Sequence, residues 1–257
     1  MSRFNFPNGR GMTLAGRLEL PAEPTRDVVI FAHCFSCSKN VLVAAQVSRK
    51  LADKGMAVLR FDFTGLGNSD GDFANTNFSS NVSDLVAAAS ALRERDLTPS
   101  LLVGHSLGGA AALIAAGELS DIKAVATIAA PSEPSHVSHL FGDAVTRIEQ
   151  DGVAVVRVGS QELRIEKQFL DDIHEHRLSR VLPNLRKPVL LFHSPTDEIV
   201  SIDNAREIHD RVRHPKSFVS LDGADHMLTR PSDAAFVANI LATWAARHIP
   251  TERTSEG

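Results

Sequence analysis

Residues Gly104-His105-Ser106-Leu107-Gly108 separate an apolar run, Leu101-Leu102-Val103, from a run of small residues with helical spacing that begins at Gly109. Strand, tight turn and helix in that order hold one hydroxyl at the tip of a strained elbow, so the segment predicts Ser106 as a nucleophile. The five-residue pattern is weak by itself, because Gly and Ser are common residues. Its neighbours make it specific. The flanking glycines leave room for a turn in which the Ser106 backbone is pushed to positive φ, and Gly109 with Ala110 lets the helix lie close to its strand. An ordinary Gly/Ser turn would explain the glycines and nothing else in the chain.

At 257 residues and 43% apolar content, the chain is long enough to bury one sizeable core. The expectation is one domain over 1–250 with an insertion. The net charge of −4 is spread along the chain, leaving no basic footprint for nucleic acid and no polybasic membrane patch. Residues 1–12 lack an apolar signal region, and no stretch approaches a bilayer span, so a cytoplasmic protein is expected, with neither nucleic acid nor membrane as partner. Cys34 and Cys37 form a C-x-x-C, which could be a redox pair or half of a zinc site. There is no second cysteine pair, and His33 is too close in sequence to complete a tetrahedron, so no metal is expected. Reduced thiols packed in a loop are the expectation for this pair in the cytoplasm.

Residues 5–20 alternate apolar positions between glycines and read as an antiparallel hairpin entering a sheet. After that the runs Val28 to Ala32 and Ala57 to Phe61 are nearly continuous in apolar residues, with helical spacing from Val41 to Lys54 between them. Strands buried on both faces read this way, so a parallel sheet with crossover helices is implied. The rhythm continues through a helix near 80–95, a strand at 100–104, the elbow helix at 108–119 and a strand at 124–129. It resumes with a strand at 188–192, a helix at 202–212, a strand at 216–221 and a last helix at 232–248. Between 131 and 185 it is lost. That stretch holds a hairpin over 153–165 turning at Gly159-Ser160 and a helical piece near 168–177. About 55 residues is long for a connection, and such excursions tend to be lids. A cap over 131–185 on a core of 1–130 and 186–250 is expected, with 251–257 a disordered tail.

A serine hydroxyl needs a base within reach and a third group to orient that base. Asp197 follows the strand at 188–192, and His226 follows the strand at 216–221, in the chain order serine, acid, histidine. Ligands of open parallel sheets gather at the strands' carboxyl ends, so the three side chains are expected to meet there. His226 would take the Ser106 proton, Asp197 would hold the ring, and the Leu107 N–H would be one donor to the oxyanion. Glu198 and Asp225 are rival acids, while His105, His193 and His214 read as packing or surface residues. No cofactor is called for.

Elbow, acid, base and the loop from Arg60 to Gly71 together resemble the α/β-hydrolase superfamily over nearly the whole chain. That resemblance implies a mostly parallel eight-stranded sheet with helices on both faces and an inserted cap. Ala32-His33-Cys34-Phe35 resembles the His-Gly-Phe oxyanion loop of esterases in that superfamily, with Cys34 where Gly is usual, and so implies the Phe35 N–H as second donor. The runs from His33 to Lys39, Asn77 to Asn81 and His214 to Phe218 resemble the hydrolase half of bacterial bifunctional proteins that carry an OsmC-like domain. By resemblance, then, the activity is that of a carboxylesterase on short or small aromatic acyl esters, and an OsmC-like domain would follow in a longer parent chain. Thioesterase, amidase and perhydrolase activities use the same triad, and a non-catalytic ligand-binding domain is the alternative outside enzymes. Phe35, Leu140, Phe141 and Phe169 are the expected lining of the substrate pocket.

Overall fold

The computed structural model describes residues 1–159 and 161–249. Ser160 at the expected hairpin turn and the expected tail at 251–257 lie outside the described residues. The amino-terminal segment forms β1 (Ser2–Arg3), β2 (Phe6–Pro7), β3 (Thr13–Leu14) and β4 (Gly16–Glu19). Here β2 pairs with β3 and β1 with β4, both antiparallel. Strands and helices then alternate: β5 (Val28–Ala32), α1 (Leu42–Ala52), β6 (Ala57–Phe61), α2 (Phe78–Arg93), β7 (Pro99–His105), α3 (Leu107–Glu118) and β8 (Ala124–Ile128). Past β8 the chain leaves the sheet through a 3-10 segment (Pro134–Phe141), α4 (Ala144–Asp151), the antiparallel hairpin β9 (Val153–Val158) and β10 (Gln161–Glu166), α5 (Lys167–Glu175) and α6 (Leu178–Val181). It returns as β11 (Val189–His193), α7 (Asp203–Arg211), β12 (Lys216–Ser220) and α8 (Pro231–His248).

Eight strands make one sheet in the order β1-β4-β6-β5-β7-β8-β11-β12. Every neighbouring pair from β6 to β12 is parallel, and β4 alone runs against the rest, antiparallel to both β1 and β6. The period of two decides where side chains go. In β5, Val28, Ile30 and Ala32 enter the core that holds α2 and α3, whereas Val29 and Phe31 enter the core under α1 and α8. Burial on both faces is why these strands read as unbroken apolar runs.

The elbow helix α3 is buried from Leu107 to Ala116 because it is wedged between the sheet and α2. Only small residues allow that approach. A Cβ on Gly104 would lie 2.3 Å from the Gly108 carbonyl oxygen, and one on Gly108 would lie 2.2 Å from that of His33. Gly108 thereby brings the start of α3 against the loop that follows β5.

The sequence reading did not anticipate α4. Its eight residues carry a short apolar pair, Val145 and Ile148, between Gly142 and Gly152, too few turns for periodicity to register. The excursion is fastened to α2 by Ser79, whose N–H donates to the Asp172 carboxylate at 2.8 Å. The same serine's Oγ lies 2.7 Å from His176 Nε2, so one residue of α2 holds two positions at and just beyond α5.

Candidate active site

Four parallel strands deliver the residues singled out above to one edge of the sheet. β5 leads into the loop 33–39, β7 into Ser106, β11 into Asp197 and β12 into the turn before His226. Ser106 has φ 54° and ψ −128°, a left-handed backbone that a side chain disfavours by roughly 1–3 kcal/mol. Its N–H is tied to the Ile128 carbonyl oxygen at 2.9 Å, so the neighbouring strand holds the turn in place. Ser106 and His226 line the same cavity of about 380 Å³, with no direct hydrogen bond between them.

His226 Nδ1 lies 2.8 Å from Asp197 Oδ2, and the Asp197 side chain is fully buried. The other carboxylate oxygen accepts the N–H groups of Ile199 and Val200, each at 2.9 Å. Burial pushes the Asp197 carboxyl up, but the His226 hydrogen bond and charge and the two amides outweigh it and hold the group below its ordinary value. A carboxylate so held makes Nδ1 of His226 the protonated nitrogen and leaves Nε2 free to accept. The rival acids are elsewhere. Asp225 caps Thr229, at whose N–H it accepts at 3.0 Å, and Glu198 is exposed.

The N–H groups of Phe35 and Leu107 have no protein acceptor among the described residues. Leu107 is the first residue of α3, where an N–H has no intrahelical partner and the helix dipole is positive. In the other loop, the Cys34 carbonyl oxygen accepts from His33 Nδ1 at 2.8 Å and from the Cys37 N–H at 3.2 Å. Carbonyl and N–H of a trans peptide point in opposite directions. Fastening the Cys34 oxygen on the His33 side therefore turns the Phe35 N–H the other way.

Three histidines support the site in ways the sequence reading missed. His33 accepts the Phe63 N–H at Nε2, and burial holds it down to about 4. His105 donates from Nε2 to the His226 carbonyl oxygen at 2.8 Å, and burial, then the His226 charge, holds it down to about 3. His193, read as packing or surface, is buried beside Asp197 and donates to the Val200 carbonyl oxygen at 2.7 Å. Their only sequence signal was position, each sitting at or next to the end of a strand that carries a site residue.

Two expectations are corrected. Cys34 and Cys37 are not free thiols but a disulfide, with Cα atoms 5.2 Å apart. The tight turn at 34–37 brings the two side chains within bonding reach, a proximity that compartment arguments from sequence did not weigh. Of the expected pocket residues, Phe35 and Leu140 line the cavity, whereas Phe141 and Phe169 do not. They are buried behind Phe35, with ring centroids 5.7 and 5.3 Å from it, because an aromatic cluster that includes Phe73 fills the space. The hairpin of the excursion supplies Val158, Gly159 and Gln161 to the opposite wall. No metal-ligating group of His, Cys, Asp or Glu occurs among the described residues.

Comparison with known proteins agrees with the fold. The esterase domain of a Rhodothermus marinus protein is 48% identical, with 97% of this chain and 99% of that one covered and a TM-score of 0.80. Est1E of Butyrivibrio proteoclasticus, solved with ferulic acid bound, is 20% identical with a TM-score of 0.81 and coverage of 97% and 99%, a likeness of fold alone. The mouse mitochondrial palmitoyl-protein thioesterase ABHD10 is 26% identical over 221 residues, covering 80% of this chain and 70% of that protein. The family model for the alpha/beta hydrolase family matches residues 29–240, and the chain belongs to that family.

Proposed function

We propose that the chain is a serine carboxylesterase that cleaves short-chain or small aromatic acyl esters through an acyl-enzyme, with Ser106 as nucleophile, His226 as base and Asp197 as the acid that orients it. His226 Nε2 removes the Ser106 proton as Oγ attacks the ester carbonyl carbon, and the resulting imidazolium is stabilised by Asp197. The carbonyl oxygen, now negative, is received by the N–H groups of Phe35 and Leu107. Collapse of the intermediate expels the alcohol, which takes the proton from His226. Water then repeats the sequence against the acyl-serine. The excursion past β8 acts as a cap, its hairpin closing the cavity over the substrate. No metal or cofactor takes part.

One observation carries the reading: an imidazole hydrogen-bonded to a buried carboxylate at 2.8 Å shares a cavity with a serine on a strained elbow. Replacing Ser106→Ala is expected to lower p-nitrophenyl butyrate hydrolysis by at least about 10³-fold with the melting temperature retained. Undiminished turnover would remove the proposal.

A second reading, thioester hydrolysis by the same residues, is favoured by the naming of the mouse relative as a palmitoyl-protein thioesterase. Matched oxygen esters and thioesters of the same acyl group separate the two by kcat/KM. A further part of the proposal, resting on sequence resemblance alone, is that this chain belongs beside an OsmC-like domain. The intact mass of the native protein tests that. The cytoplasm is the compartment we propose, and no described helix is long and apolar enough to cross a membrane.

A further inference from the structure

The disulfide occupies an unusual place for a structural bridge. It joins residues only three apart, enclosing Phe35 and Ser36. Loop-closure entropy is smallest for short loops, so a bridge of this span is a poor global stabiliser compared with one closing a long loop. Its local effect is large by comparison. The two enclosed residues include the amide proposed to receive the oxyanion, and both cysteines line the cavity together with Ser106 and His226.

The loop is anchored on either side of the bridge. Before it, His33 is gripped by Phe63 and Cys34. After it, the Lys39 N–H donates to Asp62 Oδ1 at 2.6 Å, and the Lys39 ammonium pairs with the same carboxylate. Between the anchors, the Phe35 ring is held by its aromatic neighbours, but ring packing leaves the peptide planes on either side of its Cα free to rotate. Against that rotation stand two hydrogen bonds to the Cys34 carbonyl oxygen, from the Cys37 N–H and from His33 Nδ1, and the disulfide. Here a pair of cysteines fixes the turn covalently.

We propose that the Cys34–Cys37 disulfide is a positioning group for ester cleavage, holding the Phe35 N–H on the developing oxyanion, so that reduction of the bridge by a dithiol slows turnover. The inference rests on the esterase reading given above. Reduction breaks the Sγ–Sγ bond and adds two electrons and two protons to give two thiols, while the dithiol loses the same and closes into a cyclic disulfide. Cys37, half-buried and facing the cavity, is the sulfur a dithiol reaches first. Reoxidation by a small disulfide reverses the exchange. In the reducing cytoplasm proposed above the site would thus be throttled, and it would become most active when its surrounding turns oxidising.

The test compares oxidised protein with protein reduced by dithiothreitol and desalted without air, using p-nitrophenyl butyrate. A positioning role predicts a kcat lower by roughly tenfold to a hundredfold in the reduced state, short of the full loss of an oxyanion donor, with KM within about twofold. Oxidised glutathione should restore the rate. The double variant Cys34→Ser, Cys37→Ser should turn over at the reduced rate and ignore dithiothreitol, while melting close to the oxidised protein. Equal kcat in the two states, with two thiols verified by alkylation in the reduced sample only, overturns the proposal and leaves the bridge structural. Two free thiols in air-equilibrated protein overturn it as well. Failure of the underlying reading looks different: oxidised protein that does not react with a fluorophosphonate at Ser106 is not a serine hydrolase, and both proposals fall.

Discussion

Asp197 shows how much a single carboxylate can organise. Its two oxygens engage an imidazole and two backbone amides, so its charge and its orientation are both settled before any substrate arrives. Replacing Asp197→Asn keeps the shape but presents an NH2 group or a neutral oxygen to His226 Nδ1, which lets the ring adopt the wrong tautomer. A kcat loss of about 10³–10⁴-fold is expected with little change in KM, measured on a short-chain ester. At this scale the sequence was readable where chemistry forces a residue type. Ser106, Asp197 and His226 stand out because each follows an apolar run and each can do one part of acyl transfer. His105 and His193 were not readable, since a buried neutral histidine that donates to a carbonyl leaves no pattern in the chain.

Among elements, the contact between the start of α3 and the loop after β5 decides whether the two proposed oxyanion donors face one point. Gly108 sets that distance. Gly108→Ala would drive a methyl to 2.2 Å from the His33 carbonyl oxygen and 2.6 Å from that of Ala32, both backbone atoms that cannot step aside alone. The expected result is a destabilisation of about 1–3 kcal/mol. A fall in kcat accompanies it as the Phe35 amide moves off line, both measured on one purified variant by denaturant titration and steady-state kinetics. Gly117→Ala in the same helix is the control: its nearest neighbour, a Val181 methyl, is 3.9 Å away, and stability should rise by about 0.5–1 kcal/mol. Core strands and helices were legible element by element because burial on both sheet faces and on one helix stripe writes long patterns. The excursion was legible only as a break in rhythm plus a hairpin. Its pieces are held by contacts such as Ser79 with Asp172, 93 residues apart, which no local pattern encodes.

For the molecule as a whole, the buried histidines make acid the natural denaturant. His105 has its value lowered from 6.5 to about 3, so between those limits the unfolded chain binds a proton that the native protein refuses. The stability this ring contributes is complete above pH 6.5 and is lost as pH falls toward 3, at up to about 1.4 kcal/mol per pH unit. His33, lowered to about 4, steepens the loss in the same direction. Urea titrations between pH 7 and 4.5 should therefore show falling stability, and His105→Gln, which keeps a donor for the His226 carbonyl oxygen, should flatten the slope by about one proton.

The order of the strands in the sheet bears on synthesis too. The proposed nucleophile is made at position 106, yet the ring meant to activate it lies beyond β12, the last strand to join the sheet. A ribosome that has released the elbow must add about 120 further residues before the imidazole emerges. A nascent chain that stops short of β12 consequently exposes an inert alcohol, and reactivity toward acyl groups begins only after the turn beyond that strand has been made.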